Sequence, residues 1–318
     1  MVRWLHISDL HFGSGQALSN TMRTKLLQFL QDNPLIVDYL FITGDLVYAP
    51  KAKKKDWNDA VDYIKKLQTI LNIESSDTFC VPGNHDVKRN VVREQLVNGL
   101  MSSYDTHDGN IDESILESID LTYDSFKKAY KAICGRTYKK HHFIDKKGKV
   151  NIFCIDTALT YSETNQDRKL VLGTKLIDDM MDGIDSSIPG IVLAHHSFDC
   201  MADTERIMLE SALKDNGVIL YLCGHEHKAL FKEIQIIDQK KHLYEYLCGS
   251  DMDRGPNHVI TDMDIFVGQL NDDGKTGLIE AWRFSRDNKD FLPDIEFSSR
   301  QNSDQLNGKH YFPKRSYT

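Results

Sequence analysis

Seven short apolar runs punctuate the chain. They are Arg3 to Ser8 (RWLHIS), Leu35 to Thr43 (LIVDYLFIT), Thr78 to Val81 (TFCV), Val150 to Ile155 (VNIFCI), Ile191 to Ala194 (IVLA), Val218 to Cys223 (VILYLC) and Leu243 to Cys248 (LYEYLC). Continuous apolar runs of this length predict strands covered on both faces. Between them, apolar residues recur at helical spacing. Met22, Leu26, Leu27 and Leu30 share a face, with Pro34 just beyond. Trp57, Ala60, Val61, Ile64, Leu67 and Leu71 follow a cap at Asp56. Leu176, Ile177, Met180, Met181 and Ile184 make a third stripe. Ile207, Met208, Ala212 and Leu213 make a fourth and lead to Gly217, a C-terminal glycine. Such stripes are read as core. Strand and helix alternate, so the predicted class is α/β.

Two intervals break this rhythm. From about 88 to 140 the chain is polar, with weak helical patterns at Val92 to Met101 and Ile115 to Ile133, which predicts a helical insertion. From about 294 it is polar again and predicts an irregular tail. No internal repeat or low-complexity linker appears, so the chain is read as one domain over 1–318.

Composition changes little in that picture. The 318 residues are 41% hydrophobic and 27% charged, enough for a large core. The net charge of -8 argues against a broad face for long nucleic acid, while leaving room for a local basic patch. Six cysteines are scattered without a Cys-x-x-Cys pair; Cys80, Cys154, Cys223 and Cys248 lie in apolar runs, as small buried hydrophobes do. The N-terminus reaches His6 and Asp9 too early for a signal-peptide apolar region. No stretch is long and apolar enough to span a bilayer. The expectation is a soluble, reduced, cytoplasmic protein with no membrane partner.

The apolar runs share an ending. Ile7-Ser8 leads to Asp9 and His11, Thr43 to Gly44-Asp45, and Val81-Pro82 to Gly83-Asn84-His85-Asp86. Ala194 leads to His195-His196, and Cys223 to Gly224-His225-Glu226-His227. Sites in α/β sheets form outside the carboxyl ends of strands. If these ends converge, Asp9, His11, Asp45, Asn84, His195, His225 and His227 form one oxygen and nitrogen donor set. That set suits manganese, iron or zinc better than calcium, and it exceeds what one tetrahedral zinc takes. Two divalent metal ions about 3.5–4 Å apart use this many ligands, and Asp45 is the natural bridge. Each piece alone has a plainer reading: an aspartate cap for Asp9, a turn for Gly83-Asn84, a core histidine at His195. Two histidines two apart after a buried strand seldom serve packing. The order of all five strand ends decides for the site.

The motifs SDLH, GDLV, GNHD, AHHS and GHEH resemble those of the calcineurin-like metallophosphoesterase superfamily, from Trp4 to His227. The resemblance implies a four-layer α/β/β/α sandwich with two facing mixed sheets. It implies one metal on Asp9, His11, Asp45 and His227, and a second on Asp45, Asn84, His195 and His225. It makes His85 the catalytic histidine, protonating the leaving group after attack by water activated between the cations. Asp86 orients His85 or a ligand, or caps a helix. Asn84 and His196 face substrate, and Arg254, in CGSDMDRGPN, offers a phosphate contact whose plainer reading is an exposed loop arginine. Lys88 and Arg89 add positive potential, more than the solvated lysines of Lys51 to Lys55.

Gly44-Asp45 continues as Leu46-Val47-Tyr48, without the Asp-Arg-Gly of phosphoprotein phosphatases, and the later motif ends in Asp86 instead of Glu. The pattern is more similar to class III cyclic-nucleotide phosphodiesterases and exonuclease-type members, although Ser197 stands where the former carry proline. The expected activity is hydrolysis of a phosphodiester, with a small phosphoester or nucleotide as substrate. A metal-dependent DNA nuclease and a non-catalytic metal-binding scaffold are the alternatives.

Overall fold

The computed structural model describes residues 1–318 apart from 16, 49–51, 105–107, 167, 227–228, 236–241, 250–262, 300–307 and 314–318; the side chains of 17, 235, 298 and 299 are also outside it. In chain order the described strands are β1 (Val2–Ile7), β2 (Tyr39–Thr43), β3 (Thr78–Val81), β4 (His142–Lys146), β5 (Asn151–Ile155), β6 (Gly190–Leu193) and β7 (Val218–Cys223). They continue with β8 (Leu230–Gln235), β9 (His242–Leu247), β10 (Asp264–Leu270), β11 (Gly277–Ser285), β12 (Asp290–Pro293) and β13 (Lys309–Phe312). The helices are α1 (Ala17–Asp32), α2 (Lys54–Leu71), α3 (Val91–Ser103), α4 (Glu113–Asp120), α5 (Asp124–Cys134), α6 (Thr174–Met181), α7 (Asp203–Asp215) and α8 (Ile295–Ser299).

The strands form two sheets. One has the order β12-β11-β10-β1-β2-β3, with β13 also on β11; the other is β4-β5-β6-β7-β9-β8. β1, β2 and β3 run parallel, as do β5, β6, β7 and β9, so each sheet presents several carboxyl ends at one edge.

Alternation along the strands builds the layers. Leu5, Ile7, Leu40, Ile42 and Cys80 pack under Met22, Leu26 and Leu30 of α1 and Ile64 and Leu67 of α2. The opposite positions, Trp4, Phe41, Phe79 and Val81, pack against Ile152, Cys154, Ile191, Leu193, Leu220 and Leu222 of the other sheet. Beyond them, Phe153, Val192 and Tyr221 meet Ile177 and Met181 of α6 and Leu209 and Leu213 of α7. The result is the expected four-layer α/β/β/α sandwich. All six cysteines are buried free thiols, and no described helix is long and apolar enough to cross a membrane.

Several elements depart from the sequence reading. β2 begins at Tyr39, not Leu35, because the backbone of Asp38 ties back to Arg3 (Asp38 N to Arg3 O, 2.8 Å) and Ile36 lies exposed before it. Asp56 does not precede α2. It sits inside the first turn, where its carboxylate accepts the Lys53 amide at 2.7 Å. The insertion is helical as expected, but its second pattern is broken at Leu121–Tyr123, where Thr122 receives Lys88 N and the Arg93 guanidinium. The tail is not wholly irregular. β13 pairs antiparallel with β11 and buries His310 and Phe312.

Hydrogen bonds tie the insertion to the body at several points. Gln68 Nε2 of α2 donates to Ile133 O of α5 at 2.9 Å. The Tyr104 hydroxyl donates to Glu205 of α7. Arg93, fully buried, donates to the carbonyls of Tyr161 (3.0 Å), Ala158 (2.5 Å) and Leu159 (3.1 Å) in the loop after β5.

Candidate active site

The strand ends of both sheets meet at one edge. Asp9 N donates to Gly44 O at 3.1 Å and His11 N to Asp45 O at 3.0 Å, so the loops after β1 and β2 are zipped together. Gly224 N donates to His195 O at 2.9 Å and joins the loops after β6 and β7. Among the bonds that cross between the sheets, His225 N donates to Asp9 Oδ2 at 3.1 Å and His195 Nδ1 donates to Thr43 O at 2.7 Å. A carbonyl only accepts, so Nδ1 carries a proton and Nε2 is turned inward.

That nitrogen lies 3.0 Å from Asn84 Oδ1 and 3.4 Å from Asp45 Oδ2. On the other side of the same carboxylate, His11 Nε2 lies 3.7 Å from Asp45 Oδ2 and 3.6 Å from Asp9 Oδ1. Metal–ligand bonds of about 2.0–2.2 Å set neighbouring donors roughly 3.0–3.5 Å apart. The Asn84–His195–Asp45 group has that spacing, and the Asp9–His11–Asp45 group is a few tenths of an ångström wider. The donor set therefore fits divalent cations. His11, Asp45 and His85 form one candidate group, and Asp9, Asp45 and His195 another; Asp45 belongs to both.

The backbone is bent to aim these side chains. Asp9 (φ 55°), His11 (φ 45°), Asp45 (φ 53°) and His225 (φ 69°) all occupy the left-handed region. Each such residue costs about 1–3 kcal/mol, somewhat less for Asp and His, and such strain gathers at functional sites. Gly44 (φ 92°) precedes Asp45 where a Cβ would lie 2.6 Å from His195 Nδ1. At Gly83 a Cβ would lie 2.2 Å from Asp45 Oδ1. Only bare backbone passes at either point.

Electrostatics follow from this crowding. Burial alone would raise the Asp45 carboxyl, but His195, His85 and His11 hold it well below the usual carboxylate range. Burial pulls the His195 imidazole down, yet Asp45 and Asp9 outweigh it and push it up to about 9. Burial, with His225 and His195 adding repulsion, holds His196 well below its ordinary value.

The remaining expected residues fall around this centre. Asn84 and His196 are buried, and His85 and His225 are half-buried. His85 N donates to Asp45 Oδ1 at 2.7 Å, and its ring stacks on Tyr48 (4.8 Å, 17°). Asp86 neither caps α3, which Asn90 does, nor shows a bond to the His85 ring. Its carboxylate accepts Val47 N (3.3 Å) and Gly83 N (3.0 Å), pinning the two loops that carry Asp45 and Asn84. Burial, then repulsion from Asp45, raises it to about 8. It is a positioning residue. His227 and Arg254 lie outside the described residues.

Sequence reasoning missed the supporting groups. Thr157, after β5, receives His195 N (3.2 Å) and His196 N (2.9 Å) on its hydroxyl oxygen and meets His196 Nδ1 at 2.9 Å. Thr43 accepts from His195 and Ser8 at its carbonyl, and its hydroxyl meets His6 Nε2 at 2.8 Å. Tyr161 stacks on His196 (5.7 Å, 17°). Threonines and tyrosines near strand ends carry no signal of their own; only the fold places them here.

The family model of calcineurin-like phosphoesterases matches residues 2–229, and the chain belongs to that family. It is similar to the metallophosphoesterase-like protein YydB of Bacillus subtilis (strain 168), with 26% identity over 241 residues. That match covers 72% of this chain and 50% of YydB, so the chain spans about half the length of the curated relative it matches. Among solved structures, a dimetal phosphatase from Danio rerio superposes with a TM-score of 0.50 and 10% identity, covering 92% of this chain and 98% of that one. Purple acid phosphatase PPD1 from yellow lupin (Lupinus luteus) seeds gives 0.52 and 13%, covering 89% and 51%. At these identities the likeness is one of fold.

Proposed function

We propose that the chain is a metal-dependent phosphoesterase that hydrolyses phosphodiesters of nucleotide or cyclic-nucleotide type. One observation carries the reading: a single buried carboxylate, Asp45, lies between His11 Nε2 at 3.7 Å and His195 Nε2 at 3.4 Å, imidazoles from opposite sheets. Asp9, His11 and Asp45 would hold one divalent cation, with His227 as the remaining ligand. Asp45, Asn84, His195 and His225 would hold the other. The mixed oxygen and nitrogen set suits manganese, and iron or zinc next. Bound cations supply an activated water and offset charge on the phosphoryl oxygens.

The chain's own residues do the rest. His85, stacked on Tyr48 and tethered through its amide to Asp45, delivers a proton to the leaving oxygen, an effect of about 10²–10⁴-fold. The Thr157 oxygen already accepts two amides, so its hydroxyl proton goes to His196 Nδ1 and the imidazole proton rests on Nε2. That Nε2–H is buried and has no hydrogen-bond partner among the described residues, which suits it to a phosphoryl oxygen. The rings of Tyr48 and Tyr161, against His85 and His196, support a diester carrying organic groups on both sides. The test is hydrolysis of bis(4-nitrophenyl) phosphate with added manganese. Chelation and His85→Ala are each expected to lower the rate about 100-fold or more; activity that survives both overturns the reading.

A further inference from the structure

We propose that Arg89 is a specificity-determining residue which receives a second phosphoryl group on the leaving side of the substrate. This inference rests on the phosphodiesterase reading above and narrows it to a linkage in which the leaving oxygen is itself borne by phosphorus.

Arg89 enters the cleft from the start of the insertion, one residue before the Asn90 cap of α3. Its guanidinium bridges three segments. NH1 lies 3.3 Å from His85 Nδ1 and 3.5 Å from Nε2, so it sits directly against the proton donor. NH2 lies 3.4 Å from the Tyr161 hydroxyl. Nε and NH2 reach Glu163 Oε1 at 2.8 and 2.6 Å.

The two ends of this ion pair are unequal. The Arg89 side chain is 14% exposed and that of Glu163 is 59% exposed. A largely buried guanidinium needs an anion, whereas an exposed carboxylate regains water when released. Glu163 can leave without disturbing its loop. Its amide is held separately by Glu94, at 2.9 Å, and the neighbouring Thr164 amide donates to the same carboxylate at 3.2 Å. Nor is Arg89 needed to fasten the insertion, since Arg93, Glu94 and Tyr104 do so. A cation against the general acid, held by an exchangeable counter-ion, is placed to meet an anion on the leaving group.

The step balances as a hydrolysis. The oxygen of water forms the new P–O bond, and the bridging P–O bond breaks with its electron pair on the second phosphoryl group. The proton from His85 goes to that oxygen, and the proton from water returns to His85. One water is consumed per bond, with no change of oxidation state.

The experiment compares methylenediphosphonate with methylphosphonate, binding to the manganese-loaded full chain by calorimetry with metal in excess. The wild type is expected to prefer the diphosphonate. Arg89→Ala is expected to lower that preference about tenfold or more, the usual worth of a charged hydrogen bond. Glu163→Gln is expected to raise it. Circular dichroism confirms that each variant is folded; if Arg89→Ala is not, Glu163→Gln alone decides. An unchanged preference in the folded variants, or none in the wild type, overturns the proposal. Turnover of bis(4-nitrophenyl) phosphate is scored separately. Turnover without an Arg89-dependent preference sinks this inference alone, and the preference without turnover sinks the hydrolytic reading alone.

Discussion

Thr157→Val tests whether the paired histidines are held by a hydroxyl or by packing. Valine keeps the volume and branching of threonine, so no cavity opens at this fully buried position. What disappears is one oxygen that serves three groups: His195 N at 3.2 Å, His196 N at 2.9 Å and His196 Nδ1 at 2.9 Å. A buried polar group stripped of its partner costs about 1–3 kcal/mol. With some relaxation, three such groups give a loss of roughly 3–4 kcal/mol, a large share of a stability of about 5–15 kcal/mol. At an unfolding entropy of about 2.1 cal/mol/K per residue, a chain this long should lose about 4–6 °C in Tm. Thr157→Ser, which keeps the oxygen and drops a methyl, should lose about 1 kcal/mol. The assay is thermal unfolding of the metal-free protein, followed by urea titration of all three forms. Valine melting within about 1 °C of wild type, or serine falling as far as valine, refutes the hydrogen-bond account.

Two further outcomes follow from the same site. The His195 pKa is raised from 6.5 to about 9, so its protonated form stabilises the metal-free protein fully below pH 6.5, and that contribution is lost as pH rises through about 9. A metal needs the Nε2 lone pair, so loading at pH 7.5 should release about one proton, with manganese affinity rising up to pH 9 and flattening above. Calorimetry in two buffers of different ionisation enthalpy counts the proton, and a count of zero refutes the assignment. Gly83→Ala places a Cβ 2.2 Å from Asp45 Oδ1, so the Asp45 carboxylate must move. Metal content should fall below two per chain and turnover by about 100-fold; two tightly held metals would contradict this.

Much of the centre was legible because strands that end in Asp, Asn or His announce themselves. Asp9, His11, Asp45, Asn84, His195 and His225 each follow an apolar run within a few residues, and parallel strands must bring such ends to a common edge. The added strands were harder. β11 alternates buried and half-buried positions, and β13 gains its place from partners remote in the chain, pairing with β11 and packing His310 against Phe231 and Tyr246. Short, half-buried segments draw their stability from neighbours, which periodicity does not record.

By itself, then, the sequence determined the α/β class, the order of the strand ends that carry Asp, Asn and His and the type of donor atoms they offer, since these depend on local pattern and side-chain chemistry. The tertiary structure alone decided that Thr157 and Thr43 hold the histidines, that Asp86 pins loops, and that Arg89 lies against His85. Thr43 and His195 lie far apart in the chain and meet only once two sheets have packed face to face, and local pattern does not record where the other side chains point.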